Sequence, residues 1–208
     1  MKNIETLMKK ASELKSEGLV EGQISEELNV SRETVTWLLT HAEKRSAMPG
    51  PKDISIDWST IGRSAVRLKN ISQVLTDMIY EILDESELEV EVVVGVALSG
   101  VPLASLVARD IGADLAVYTP SKQRWSQSTE SDQKIRGSLS TNFSDVEGKE
   151  CVVIDDVITS GKTIEETIVH LKEHGAKTNA IAVLIDKKGI DQIAGVKVSS
   201  LLKMIRVN

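Results

Sequence analysis

Aromatic residues are scarce, with three Trp, two Tyr and one Phe making up 3% of 208 residues. Any core must therefore be built from aliphatic side chains, and a hydrophobic fraction of 41% beside a charged fraction of 27% is enough for a packed globular one. The single cysteine, Cys151, excludes an intramolecular disulfide and a cysteine-based zinc site. At the head of an apolar run it reads as a buried strand residue. No apolar run approaches the roughly 20 residues that a membrane-spanning helix needs. Glu5, Lys9 and Lys10 interrupt the first apolar residues, so no signal-peptide h-region is visible and a cytoplasmic protein without a membrane partner is expected. Positive charge is not in excess either. Lys and Arg number 25 against 31 Asp and Glu, for a net charge of -6, which gives no global pull toward nucleic acid. The first 48 residues carry seven Lys/Arg and eight acids, so any DNA contact has to come from a local cluster.

Met48-Pro49-Gly50-Pro51 is the clearest punctuation in the chain, because prolines flanking a glycine cannot continue a helix. It predicts a linker over 48–52 between a domain at 1–47 and another at 53–208. Before it, Ile4, Leu7, Met8, Ala11 and Leu14 recur at helical spacing up to Gly18, a short helix is predicted over 22–28, and a third starts at Ser31. After it, the stripe Ile71, Val74, Leu75, Met78, Ile79 and Ile82 predicts one long helix over 61–83. The period then changes. A dense β-branched run at 90–97 and shorter apolar stretches at 115–118, 152–154 and 180–185 read as strands, separated by helices at 101–111 and 163–174. Strands alternating with helices imply an α/β fold with a parallel sheet flanked by helices.

The most informative stretch runs from Val152 to Thr163. Three aliphatic residues lead into Asp155 and Asp156, and then Thr159, Ser160, Gly161, Lys162 and Thr163 open a helix. In an open α/β sheet such a loop lies at the carboxyl edge, where ligands bind. Its backbone N–H groups and the helix dipole favour an anion, Gly161 permits close approach, and the hydroxyls add donors. Asp155 and Asp156 can accept hydrogen bonds from vicinal hydroxyls of a sugar. A Walker P-loop is a poor competitor, because the position five residues before Gly161 is Asp156 rather than glycine. The segment resembles the phosphoribosyl pyrophosphate (PRPP) signature of the type I phosphoribosyltransferases at every position. The resemblance implies that Thr159 to Thr163 hold the 5′-phosphate and that Asp155 and Asp156 hold the ribose hydroxyls. It also implies Mg²⁺ arriving with PRPP near those two acids, with no direct protein metal site.

Ser99 and Gly100, in the turn Ala97 to Pro102, follow the first strand and resemble the family's pyrophosphate loop, especially in the orotate branch. The polar stretch 121–137 resembles the family's active-site loop. Lys122 and Arg124 are its candidates for pyrophosphate and for catalysis if there is any, with Lys134 and Arg136 further along. Transfer chemistry needs cations on the leaving pyrophosphate. The orotate enzymes carry a Lys-x-His-Gly element there, whereas this loop has no histidine. The departure leaves PRPP binding intact and argues against turnover.

Residues 21–40 follow helix-turn-helix logic and resemble helix-turn-helix regulators along the whole segment. Ile24 and Leu28 are core positions, small Ser25 allows close helix approach, and Asn29 stands where the backbone turns left-handed. The face predicted to meet DNA is Ser31, Arg32, Glu33, Thr36, Trp37 and Thr40, with Arg32 as the reader of a base edge and Lys44 and Arg45 extending the charge. Taken together, the chain resembles archaeal regulators with a helix-turn-helix domain ahead of an orotate phosphoribosyltransferase-like domain. That resemblance implies a homodimer on a double-stranded operator, sensing PRPP or a related phosphorylated metabolite and controlling sugar or nucleotide metabolism genes. The alternatives are an active orotate or purine phosphoribosyltransferase with an accessory DNA-binding domain, and an assembly protein whose N-terminal helices only pair subunits.

Overall fold

The computed structural model describes residues 4–41, 52–86, 88–123 and 136–205. The chain divides into two compact units, Met1–Trp58 and Ser59–Asn208. No helix among the described residues is long and apolar enough to cross a membrane.

The first unit holds α1 (Ile4–Ser16), α2 (Glu21–Leu28) and α3 (Arg32–His41). Ala11, Ile24, Leu28, Val30, Val35 and Leu38 form its buried aliphatic centre, with Leu7, Met8, Leu14 and Trp37 packed against it. The division falls six residues later than the proline-based boundary at 52/53, because residues 53–56 are tied to α2 and α3. The Asp53 carboxylate accepts the Ser31 N–H at 2.7 Å and the Thr34 hydroxyl at 2.8 Å. Ser55 Oγ donates to the Leu28 carbonyl at 2.7 Å, and Asn29 Nδ2 donates to the Ile56 carbonyl at 3.0 Å. Asp53 thus satisfies orphan donors at the start of α3 from outside the helix. Asp53→Ala is expected to destabilise this unit by about 1–2 kcal/mol. Urea unfolding followed by Trp37 fluorescence, in a variant with Trp58 and Trp125 replaced by phenylalanine, would measure it; an unchanged midpoint would refute the capping account.

The second unit begins with α4 (Ser59–Gly62) and α5 (Ala65–Ser86), where the sequence predicts one helix. The break has a local cause: Ser64 starts α5 afresh, its carbonyl accepting the Leu68 N–H at 2.9 Å and its hydroxyl the Arg67 N–H at 3.4 Å. Of the predicted stripe, Leu75, Ile79 and Ile82 are buried while Val74 faces solvent.

The sheet contains β1 (Val92–Val96), β2 (Asp114–Thr119), β3 (Ser138–Leu139), β4 (Glu150–Ile158), β5 (Lys177–Asp186), β6 (Gln192–Ile193) and β7 (Val196–Lys203), in the order β3-β2-β1-β4-β5-β7-β6. The five central strands are parallel, as expected, but both edges are antiparallel. The β6–β7 edge turns back through Ala194 and Gly195, both with positive φ (50° and 83°), the backbone that a two-residue hairpin demands. On one face, α7 (Lys162–Glu173) packs Ile164, Ile168 and Leu171 onto Val92, Val94, Val153, Ile181 and Val183. On the other face, α5 and α6 (Gly100–Ile111) pack on β1, β4, β5 and β7. Every residue of β1 is buried, which explains its unbroken run of small aliphatics.

Cys151 is buried in this core, and that burial, with the Glu91 charge second, pushes its thiol up to about 12 from an ordinary value of 9.0. The folded value lies above the unfolded one, so the neutral thiol's contribution to stability is full below pH 9.0 and declines as pH rises toward 12. At pH 8 a thiol reagent should modify Cys151 only at the rate of unfolding. Rapid stoichiometric labelling of the native protein would contradict this.

Candidate functional site

Because β1, β4 and β5 are parallel neighbours, the turns that follow them share one edge of the sheet. β4 is longer than its apolar run: Asp155 and Asp156, expected after the strand, lie within it, each only 4% exposed. The Asp156 N–H donates to Asp155 Oδ1 at 2.9 Å, which fixes one of the two carboxylates from the backbone. The chain then turns at Thr159, Ser160 and Gly161. Gly161 is left-handed at φ +85° and its carbonyl accepts the Glu165 N–H at 2.9 Å, starting α7. Ser160 and Lys162 are exposed, whereas Thr159 and Thr163 are half-buried. The Ser160 hydroxyl accepts the Lys162 N–H at 3.5 Å.

The turn after β1 meets this element. A Cβ on Gly100 would stand 2.7 Å from the Ile154 carbonyl oxygen, 3.0 Å from Asp155 Cα and 3.2 Å from Asp155 Oδ1. Only glycine permits that approach. Ser99 precedes it, half-buried at the start of α6, and Leu98 is exposed. The structure therefore brings Ser99, Gly100, Asp155 and Asp156 to one place, beside the opening of α7.

Lys122 joins them from the 3₁₀ turn Ser121–Gln123 that follows β2. Its Nζ donates to Thr163 Oγ1 at 2.5 Å, and Gln123 Nε2 donates to the Ala97 carbonyl at 2.5 Å. Arg124 and Lys134 lie outside the described residues. Arg136 pairs with Glu173 at 3.5 Å, with both side chains largely exposed.

In the first unit, Asn29 adopts the left-handed conformation expected of it, at φ 51° and ψ 47°. Its N–H and that of Val30 return to the Glu26 and Ser25 carbonyls at 3.0 and 3.1 Å, closing α2. Ser25 is buried, with its hydroxyl donating to the Gly22 carbonyl at 2.7 Å. Ser31 Oγ accepts the Thr34 N–H at 3.2 Å at the head of α3. Arg32, Glu33, Thr36 and Thr40 are exposed as predicted. Trp37 is not: it is half-buried against the aliphatic centre and stacks on His41 at 4.6 Å with a 10° interplanar angle. Thr36 Oγ1 lies within hydrogen-bond reach of two acceptors, Glu21 Oε2 at 2.9 Å and the Arg32 carbonyl at 3.1 Å, while Thr40 Oγ1 donates to the Thr36 carbonyl at 2.8 Å. Lys44 and Arg45 lie outside the described residues.

Residues 65–194 match the family described as the phosphoribosyl transferase domain. Over all 208 residues, the chain is 71% identical to the transcriptional regulator GfcR of Methanothrix thermoacetophila, with the whole of both proteins covered. It is 56% identical, again over the whole of both, to the transcriptional regulator GfcR 1 of Methanosarcina barkeri. The chain belongs to the GfcR family of transcriptional regulators. Among solved structures, orotate phosphoribosyltransferase from Aeropyrum pernix superposes with a TM-score of 0.53 at 22% identity, covering 76% of this chain and 83% of that one. That likeness shows a shared type I phosphoribosyltransferase fold.

The GfcR-family chain also positions its site with residues that the sequence reading did not single out. Glu166 on α7 accepts from the Tyr118 hydroxyl at 2.9 Å and from the Ser121 N–H and hydroxyl, both at 2.8 Å. Burial first, and then Glu166, hold the Tyr118 phenol well above its usual range, so it remains a donor. His170 packs its ring 5.2 Å from that of Tyr118, and burial followed by the neighbouring His174 keeps it below the usual imidazole value. Asp53 and Glu21, partners of the α3 residues, were likewise invisible in the periodicity. An acceptor 45 residues from its donor leaves no local signal.

Proposed function

We propose that this regulator reads duplex DNA with the start of α3 and senses PRPP, or a related phosphorylated metabolite, at the carboxyl edge of its sheet. The carrying observation is the Gly100–Asp155 approach, which sets two buried carboxylates beside a glycine-opened helix N-terminus in a chain whose relatives regulate transcription. Thr159, Ser160, Gly161, Lys162 and Thr163 hold the 5′-phosphate with backbone and hydroxyl donors, while Asp155 and Asp156 accept from the ribose hydroxyls. Ser99 and Gly100 line the pyrophosphate side, with Lys122 and Arg124 as the cations of the following loop. The residues present suit Mg²⁺ carried by the ligand, since the buried acids Asp155 and Asp156 would lie beside the sugar hydroxyls. When bound, Mg²⁺ neutralises part of the pyrophosphate charge.

On DNA, Arg32 reads a base edge, and Ser31, Glu33, Thr36 and Thr40 line the same approach, with Trp37 packing beneath them. A homodimer presents two such helices to a symmetric operator, and the ligand acts by binding two spacings of those helices with different affinity. The test is a gel shift on operator fragments selected with the purified protein, with and without PRPP and Mg²⁺. PRPP should move the midpoint by about 5- to 150-fold, the usual span of allosteric coupling. Absence of sequence-specific retention under every ligand condition would overturn the DNA-reading proposal. Base-dependent release of pyrophosphate would favour an active phosphoribosyltransferase instead.

A further inference from the structure

Arg32, Thr36 and Thr40 stand four residues apart on α3, so their side chains follow one another along a single exposed ridge while Thr34, Val35 and Leu38 turn into the unit. Both threonine hydroxyls on that ridge are engaged within the protein. Thr36 Oγ1 is flanked by Glu21 Oε2 at 2.9 Å and the Arg32 carbonyl at 3.1 Å, and its proton goes to one or other of them. Thr40 Oγ1 donates back to the Thr36 carbonyl at 2.8 Å, with the Trp37 carbonyl at 3.2 Å. A threonine whose hydroxyl bonds the preceding turn offers its methyl outward. Beyond Arg32, the ridge is therefore apolar.

The engaged hydroxyl decides what this ridge can recognise. A proton committed to the half-buried Glu21 or to the helix carbonyl is not free for a base acceptor, and carrying it to one breaks the bond it already makes. A methyl has one apolar counterpart among the base edges of the major groove, the C5-methyl of thymine. Helical rise sets Thr36 about 6 Å beyond Arg32, roughly two base-pair steps along the groove.

We propose that Thr36 is a specificity residue that reads thymine through its methyl group, packed on the C5-methyl of the base, and not through its hydroxyl. The operator half-site then holds a thymine within about two base pairs of the base that Arg32 contacts. This specificity rests on the DNA reading of α3 proposed above.

Competition gel shifts of the full chain on its selected operator test it, with each thymine of one half-site replaced in turn by deoxyuridine, which removes only the methyl. At one position the replacement should weaken binding of the parent about three- to fivefold, the burial of one methyl. Thr36→Ser keeps the hydroxyl and loses the methyl. It should show the same loss of about three- to fivefold on the thymine operator, and less than about twofold further loss on the deoxyuridine one, because both changes remove the same contact. Thr36→Val keeps a methyl and loses the hydroxyl, so it should bind within about twofold of the parent and still distinguish thymine from deoxyuridine. Indifference of the parent to deoxyuridine at every position overturns the inference and leaves the DNA reading standing. Discrimination by Thr36→Ser equal to that of the parent, or its loss in Thr36→Val, likewise overturns the inference alone. Absence of sequence-specific retention by the parent overturns both.

Discussion

Replacing Gly161 by valine is expected to weaken PRPP binding at least about 100-fold while leaving the sheet folded. Gly161 sits at φ +85°, and an added Cβ would come within 3.3 Å of Ile190 Cδ1 and 3.4 Å of Ile193 Cδ1. A non-glycine residue held left-handed costs roughly 1–3 kcal/mol, and a β-branched one is an outlier there. The turn relieves that strain by rotating its peptide planes, which takes the amides that follow Thr159 and Ser160 out of line with a phosphate. Losing two hydrogen bonds to a charged group, at ~1.5–3 kcal/mol each, gives the stated factor. Gly112 supplies the control. It is equally left-handed at φ +81°, ends α6, and has open space around a built Cβ. Gly112→Val should therefore lower the melting temperature comparably without changing the calorimetric affinity for PRPP. Unaltered PRPP affinity in Gly161→Val would show that the loop does not hold the phosphate.

Arg32→Ala is expected to weaken sequence-specific retention of the operator by about 1–3 kcal/mol, or roughly 5- to 150-fold, and to do so mainly at one base pair of the half-site. Arg32 is the exposed cation in the first turn of α3, beside the Ser31 cap. Thr36→Val is the informative contrast, because the Thr36 hydroxyl lies beside Glu21 and the Arg32 carbonyl and would have to leave them to reach a base. Its effect should be several-fold smaller. A competition gel shift with operators mutated one position at a time separates the two. If Arg32→Ala lowers affinity for every sequence equally, Arg32 contacts phosphate rather than a base.

The part of the site legible in the sequence is the part written contiguously. The run from Val152 to Thr163 contains a buried strand, two acids, a glycine and a helix start within twelve residues, so backbone preference alone sets their order and rough placement. Asn29 is legible for the same reason, since its left-handed turn is a property of one residue between two helical runs. Trp37 is not legible in this way, because helical spacing leaves a large side chain at the margin of a face free to lean either way. Packing against the aliphatic centre and His41 decided it. β7 gives a weak signal because it is nowhere fully buried and its alternation, Val196-Lys197-Val198-Ser199, lasts only four residues. Ser64 carries no visible signal as a helix start, because apolar residues continue on both sides of it.

The sequence by itself determined the alternation of strands and helices, the position of the Thr159–Thr163 loop, and the left-handed turn between α2 and α3. Each is encoded by preferences acting within a few residues. Only the tertiary structure decided that Asp53 belongs to the helical unit as the cap of α3, that Gly100 lies against Asp155, and that Lys122 meets Thr163 under the hold of Glu166. Those meetings span 22, 41 and 45 residues for Asp53–Ser31, Lys122–Thr163 and Glu166–Ser121. For the last two, the pairing of side chains follows from the parallel register of β1, β2 and β4 and from the packing of α7 on the sheet; for Asp53–Ser31 it follows from packing within the helical unit. Local periodicity specifies neither.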